Sequence, residues 1–451
     1  MASIGGFVEQ IKRDPGRFLD HLPIREVCLE LGLSFRNRCL DPATTVALFI
    51  KQIINGNSSC ARVRHLGDRA FSAQAYCQAR MRLPLAVLLA LSRRLCDAVR
   101  RTRQSQAGDL FLTHRVFVVD GSTFSMPDTP ALQEEFGQPG MQKPGCGFPA
   151  AHLLAMFDLN TGMLIETAVS PLRTHDLAKM SQMHPCLREG DLLMGDTAFG
   201  SYAHFALLLQ GKLDGLMPAH QQRIVDFTPR RRYVGPGEKA VKGLPRSRWI
   251  KSLGKEDQLV EWFKPPHCPT YMNRDQFDAL PESIVVRELR RAVHHPGLKR
   301  WTELTIVTTL LDAKVYPASK LVELRLRRWQ AEINLRHLKT TMGLDELKCK
   351  TVEGVQKELA TFALVYNLIR LMMLEAAVRQ KTLPDRISFA DVLGWARRTS
   401  VSEPMPRFVI NPPRPGRVEP RAIKRRDKPY DLMNRPRDAM RNALKKQVKN
   451  A

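Results

Sequence analysis

The chain has 451 residues, enough for two or three domains around a well-buried core, and its 43% apolar and 25% charged content is that of an ordinary soluble globular protein. The charge is unusual: 70 Lys+Arg against 45 Asp+Glu give +25 at pH 7. Such an excess is an electrostatic footprint for a polyanion, because each phosphate neutralised releases condensed counterions. A basic membrane-surface protein would want an amphipathic basic helix or a lipidation signal, and neither is evident.

Nine cysteines are scattered with no CxxC pair, and their number is odd. This pattern suits reduced thiols in the cytoplasm and speaks against a disulfide framework or a zinc ribbon. The N-terminal MASIGGFVEQIKRDPG lacks the apolar stretch of a signal peptide. Residues 358–378 are strongly apolar but interrupted by Asn367, Arg370 and Glu375, which predicts a core helix and no membrane span.

Residues 1–105 read as a helical, DNA-binding domain. Segments 45–54, 58–66, 71–83 and 85–101 are separated by Asn55-Gly56, Gly67 and Pro84, with Ser72 as a helix cap. The short pair 58–66 and 71–83 resembles a helix-turn-helix, in which Gln74, Gln78, Arg80 and Arg82 could meet DNA; a plain helical bundle is the alternative. From 114 the pattern turns to strands: 114–121, then 151–171 as a hairpin closed at Asn160-Thr161-Gly162, then 190–196 and 214–223. Helices at 174–187 and 201–213 alternate with them, which predicts an α/β layer architecture over 106–224. Residues 225–300 read as a β-rich insertion. A strand at 303–312 returns to the core over 301–392, followed by helices at 318–341 and 351–380. Residues 393–451 form a basic C-terminal region; from 401 onward it holds fourteen Lys/Arg and five Asp/Glu, and it is expected to be a poorly ordered arm or a tail that orders on DNA.

Three carboxylates stand out. Asp120 in VVDGSTFSMPD and Asp196 in GDTAFGSY each end an apolar strand and precede small residues. Charges there are costly unless paired or metal-bound, although a strand-terminal Asp that starts a turn is frequent. Glu332 lies in LRLRRWQAEINLRHLK among Arg325, Arg327, Arg328, Arg336 and Lys339. On one continuous helix Arg328, Glu332 and Lys339 would share a face. A central strand, its neighbour and a packed helix can bring three such oxygen donors onto two divalent ions, a set suited to Mg²⁺, with Mn²⁺ able to substitute. Glu358 and Asp345-Glu346 are rival third carboxylates. Asp158 reads as turn chemistry, Arg223 as a phosphate contact or a solvated surface residue, and His294-His295 as loop residues.

In this order the motifs resemble a DDE transposase of the bacterial insertion-sequence-four family. VVDGSTFSMPD is similar to its first acidic motif, GDTAFGSY to its second, and TTLLD, LRRWQAEINLRHLKTTMGL and KELATFALVYNLIRLMM to its third region. That region's Tyr, Arg, Glu and Lys signature, with two, three and six residues between them, falls on Arg325, Arg328, Glu332 and Lys339, next to Trp329. Arg325 therefore stands where the family has tyrosine. The resemblance covers about 110–380 and implies an RNase H-like core with a mixed sheet, interrupted by the β-rich insertion. It implies cleavage of transposon ends and strand transfer by two-metal chemistry, with Asp120, Asp196 and Glu332 as ligands and Arg328 and Lys339 on DNA. It also implies double-stranded DNA partners, namely terminal inverted repeats and target, and a homodimer on paired ends in a bacterial, nucleoid-associated setting. Some relatives extrude a base onto an aromatic ring; Trp249, Trp262 and Trp301 are candidates, with core packing as the alternative for each.

Overall fold

The computed structural model describes residues 6–35, 39–67, 70–103, 110–174, 176–295, 300–398, 404–412, 433 and 435–449. Six helices open the chain: α1 (Gly6–Arg13), α2 (Ile24–Glu30), α3 (Pro42–Ile54), α4 (Cys60–Val63), α5 (Ala73–Arg82) and α6 (Leu85–Arg103). Local chemistry sets several starts. Asp41 accepts from the Thr44 N–H at 2.8 Å ahead of Pro42, and the Ser72 hydroxyl accepts from the Ala75 N–H at 3.0 Å. The first two helices are absent from the sequence expectation, and α4 is a single turn.

The α/β part follows as β1 (Val116–Ser125), α7 (Pro130–Phe136), β2 (Ala150–Asp158), β3 (Leu164–Pro171), α8 (Asp176–Met183), β4 (Leu192–Met194), α9 (Tyr202–Gln210) and β5 (Asp214–Pro218). Next come β6 (Ser247–Gly254), β7 (Asp257–Phe263), α10 (Arg274–Asp278), β8 (Ser283–His295) and β9 (Arg300–Thr308). The chain closes with α11 (Ala318–Leu326), α12 (Trp329–Arg336), α13 (Val352–Arg379), α14 (Phe389–Arg398) and α15 (Arg437–Lys449).

Among the described residues, nine strands join one sheet in the order β3-β2-β1-β4-β5-β9-β8-β7-β6. The first three are antiparallel, β1-β4-β5 are parallel, and pairing from β5 onward is antiparallel again. A three-stranded meander continued by two parallel strands is the mixed sheet that an RNase H-like core requires. The insertion strands extend this sheet through β9, which pairs with β5 on one side and β8 on the other. His294 and His295, expected in a loop, are the last residues of β8, opposite Trp301 and Arg300.

Strand alternation creates two apolar layers. Val116 and Val118 of β1 face a core built with α3, α6, α12, α13 and α14, whereas Phe117 and Val119 face α8, α9 and Trp262 of the insertion. α13 is long and apolar enough to cross a bilayer by composition, but 89% of its most apolar window is buried inside the fold. The β2–β3 hairpin closes as its sequence suggests. Asp158 accepts from the backbone of Asn160 and Thr161, and Gly162 takes φ +67. A side chain on Gly162 would meet the Arg370 guanidinium at 2.1 Å.

Of the basic C-terminal region, residues 393–398, 404–412, 433 and 435–449 are described. Its residues 413–432 lie outside the described residues, but α15 is a helix docked at its start. Arg437 donates to Asp128 at 3.1 Å and to the Gly147 carbonyl at 2.9 Å, and its guanidinium lies 3.8 Å from the centre of the Phe148 ring.

Candidate active site

Asp120 and Asp196 are placed by strand register. In the parallel β1–β4 pair Val118 faces Met194 across the ladder, and both residues point into the α13-side core. Two residues further along each chain are Asp120 and Asp196, and Asp196 keeps an extended backbone. Neighbouring strands run about 5 Å apart, so the two carboxylates leave the same face of the sheet side by side. Asp120 does not end its strand, as the sequence suggested. β1 continues to Ser125 against β2, and it is the short β4, ending at Met194, that opens the sheet beside it.

Glu332 arrives from above. α12 packs on β1 through Ala331 and Leu335, which join the core that holds Val116 and Val118. The helical stretch expected over 318–341 is broken: α11 stops at Leu326, Arg328 precedes α12, and a π-helical turn spans His337–Thr341 around Lys339. The three cationic and acidic positions therefore do not lie on one straight helical stripe. Arg328 and Glu332 keep the i,i+4 relation expected of them, and Arg328 reaches a second carboxylate on the sheet. Its Nη1 donates to Asp120 Oδ2 at 3.2 Å, while Nη2 donates to Glu332 Oε1. The Gly121 N–H donates to the other Asp120 oxygen at 2.9 Å, and Asp196 Oδ1 accepts from the Ala198 N–H at 2.9 Å.

Electrostatics show the same convergence. Burial pushes the Asp120 carboxyl above its ordinary range, opposed by the Arg328 guanidinium and the Gly121 N–H and reinforced by the nearby Asp196 charge. Arg325 is half-buried, and its Nε has no hydrogen-bond partner. Burial, then the Arg328 charge, lowers its pKa to about 10, and the carboxylates of Asp196, Asp120 and Glu332 all pull it back up. One guanidinium thus feels all three acids. The donor set is entirely carboxylate oxygen, which fits hard divalent cations. Among the described residues no group of three His, Cys, Asp or Glu already forms a cation cage; in this arrangement Arg328 lies between two of the acids.

Beyond Asp196 the surface opens into a cavity of about 780 Å³ that runs from Thr197 and Ala198 past Arg246 and Arg274 of the insertion. Arg336 is exposed on α12, and Lys339 and Trp329 are half-buried. Arg82 is exposed on α5 together with Gln74 and Gln78.

Other residues singled out from sequence are engaged elsewhere. Arg80 is a staple between helices and no surface contact. It donates to Gln52 at 3.1 Å and to the Cys349 sulfur at 2.9 Å and stacks 3.9 Å from the Phe49 ring centre. Arg223 lies 3.4 Å over the Trp262 ring, and burial lowers its pKa to about 10, so it braces the insertion where a phosphate contact was expected. Trp262 is core: it is 1% exposed and donates to Glu288 at 2.9 Å. Trp249 is half-buried, while Trp301 is 67% exposed on β9.

Glu358 is the residue whose role the sequence hid. Fully buried on α13, it accepts from Asn57 of the N-terminal helices and from the backbone N–H groups of Lys348 and Cys349 at 2.8–3.2 Å. A lone carboxylate in an apolar helix was the signal, since burial demands partners. Asp345 and Glu346 run beside the end of β1, where the Ser125 N–H donates to the Asp345 carbonyl at 3.0 Å and the Leu347 N–H to the Ser125 carbonyl.

Residues 112–368 match the family described as Transposase DDE domain, and the chain belongs to that family. It is similar to Transposase InsG for insertion sequence element IS4 of Escherichia coli (strain K12), with 23% identity over 326 residues, covering 70% of this chain and 67% of the relative. Among solved structures it resembles the piggyBac transposase synaptic complex with hairpin DNA, at 12% identity and TM-score 0.42 over 88% of this chain and 80% of that one. A further match is the Mos1 transposase paired-end complex with left transposon end, at 13% identity and TM-score 0.16 over 40% and 59% of the two chains.

Proposed function

We propose that this protein is a DNA transposase that cleaves the ends of its element and joins them to target DNA. Asp120, Asp196 and Glu332 are the catalytic carboxylates, and they would hold two Mg²⁺ ions, with Mn²⁺ able to substitute. The observation that supports this reading is that Arg328 donates to both Asp120 and Glu332, while parallel pairing of β1 with β4 sets Asp196 beside Asp120. When bound, the ions would supply Lewis acidity at the attacking and leaving oxygens of a phosphodiester.

The chain's own residues orient the DNA. Arg328 donates to two of the carboxylates and Arg325 lies near them, where guanidinium groups suit phosphate oxygens, and Lys339 on the following turn would add an ammonium group for the strand. Arg336 and the Arg82 face of α5 offer exposed cations for flanking duplex. Water is the first nucleophile and the freed 3′-OH the second, both in the same cleft. The excess of 25 positive charges supports double-stranded DNA as partner, both terminal inverted repeats and target. A homodimer on paired ends, acting in the cytoplasm at the bacterial nucleoid, completes the proposal.

The test is a Mg²⁺-dependent assay on DNA carrying the gene's flanking inverted repeats, with a pre-cut end to separate joining from cutting. Asp120→Ala, Asp196→Ala and Glu332→Ala should each abolish both steps. Activity that survives any of the three substitutions would defeat the assignment.

A further inference from the structure

The guanidinium of Arg328 occupies the place where the proposed ligands must open. It is 18% exposed and uses separate nitrogens for separate acids, one for Asp120 and one for Glu332. A planar fork of this kind binds carboxylate and phosphate with the same donors. It stands immediately before α12 with helical backbone angles, one turn ahead of Glu332, so the fork reaches Glu332 along its own helix and Asp120 across to the sheet. Arg325 adds a second positive charge with an unused Nε.

We propose that Arg328 is an internal counter-cation that keeps the DNA-free site closed to metal, and that a DNA phosphate opens the site by drawing this arginine off Asp120 and Glu332. Three carboxylates and two guanidiniums leave the cluster one negative charge. Two divalent ions would drive it to three positive charges unless phosphates enter. Metal loading and DNA binding are therefore linked, and the linkage is reciprocal. The closed form also protects the cell's DNA from a metal-charged enzyme that has not yet found its ends. This inference rests on the metal-holding role proposed above for the three acids.

The experiment measures Mn²⁺ binding to the full-length protein by the loss of free-ion electron paramagnetic resonance signal, with no turnover required. Wild type alone should bind Mn²⁺ weakly. Arg328→Gln should raise the DNA-free affinity about tenfold, within the ordinary range of coupling between sites. Duplex DNA from the element's end should raise wild-type affinity by a similar factor and add little to Arg328→Gln. Arg328→Lys, which cannot fork between two acids, should fall between, and the wild-type arm with DNA needs no variant to fold. Equal Mn²⁺ affinity with and without DNA, or tight DNA-free binding by wild type, would overturn the proposal. Adding Asp196→Asn to Arg328→Gln separates the two readings: if Mn²⁺ stays bound, the carboxylates are not the ligands at all and the inference falls with them.

Discussion

Glu358→Ala offers a sharp test of which carboxylates build the fold and which do chemistry. The side chain is 0% exposed and accepts from three groups: the Asn57 amide and the N–H groups of Lys348 and Cys349. Removing it strands two backbone donors and one amide in the interior. Leaving a buried donor without its acceptor costs about 1–3 kcal/mol, so three such donors together should cost about 3–5 kcal/mol after partial relaxation. Unfolding entropy is about 2.1 cal/mol/K per residue, so over 451 residues each kcal/mol moves the midpoint by about 1 °C if the chain melts as one unit. Thermal unfolding should therefore fall by about 3–5 °C. Glu358→Gln keeps the shape and one acceptor and should lose less. Mn²⁺ binding by the folded fraction in the presence of end DNA should stay at the wild-type level in both, whereas Glu332→Gln should leave the midpoint nearly unchanged and lose DNA-dependent Mn²⁺ binding. An unshifted midpoint for Glu358→Ala, or Mn²⁺ loss in its folded fraction, would refute this division of roles.

Three further outcomes follow from a buried histidine and two arginines. His204 donates from Nδ1 to the Phe199 carbonyl at 2.7 Å, with its Nε2 facing His184, and burial holds its pKa down at about 4. The unfolded chain protonates near pH 6.5, so the stability of the neutral folded form is present above that pH and is lost as pH falls toward 4; in this window a denaturant series should flatten for His204→Gln. Arg336→Gln should lower the slope of log affinity for DNA against log salt by about one, while Arg80→Ala should leave that slope alone and lower the unfolding midpoint.

Much of the site was legible because it depends on short-range pattern. The apolar runs ahead of Asp120 and Asp196 announce their strands, whereas the register that sets Val118 opposite Met194, and so both acids on one face, comes only from the fold. The Ser72 cap and the Asp158-to-Gly162 turn likewise announce themselves locally. What escaped depends on long-range pairing. Nothing in the periodicity of β1 says that β4 stops at Met194 and exposes Asp120 in mid-strand. The helix over 318–341 contains no breaker residue, yet packing on β1 splits it after Leu326 and inserts a π turn at Lys339. Arg80 and Arg223 look like surface cations until their ring partners Phe49 and Trp262 are known.

Because β9 pairs with both β5 and β8, one sheet runs from β1 to the far edge at β6, with register shifts only in the β6–β7 pairing on this side of β1. The insertion is thus joined to the core through backbone pairing as well as through its connecting segments. A substitution that disturbs β9 should therefore be felt in the core and in the insertion at once.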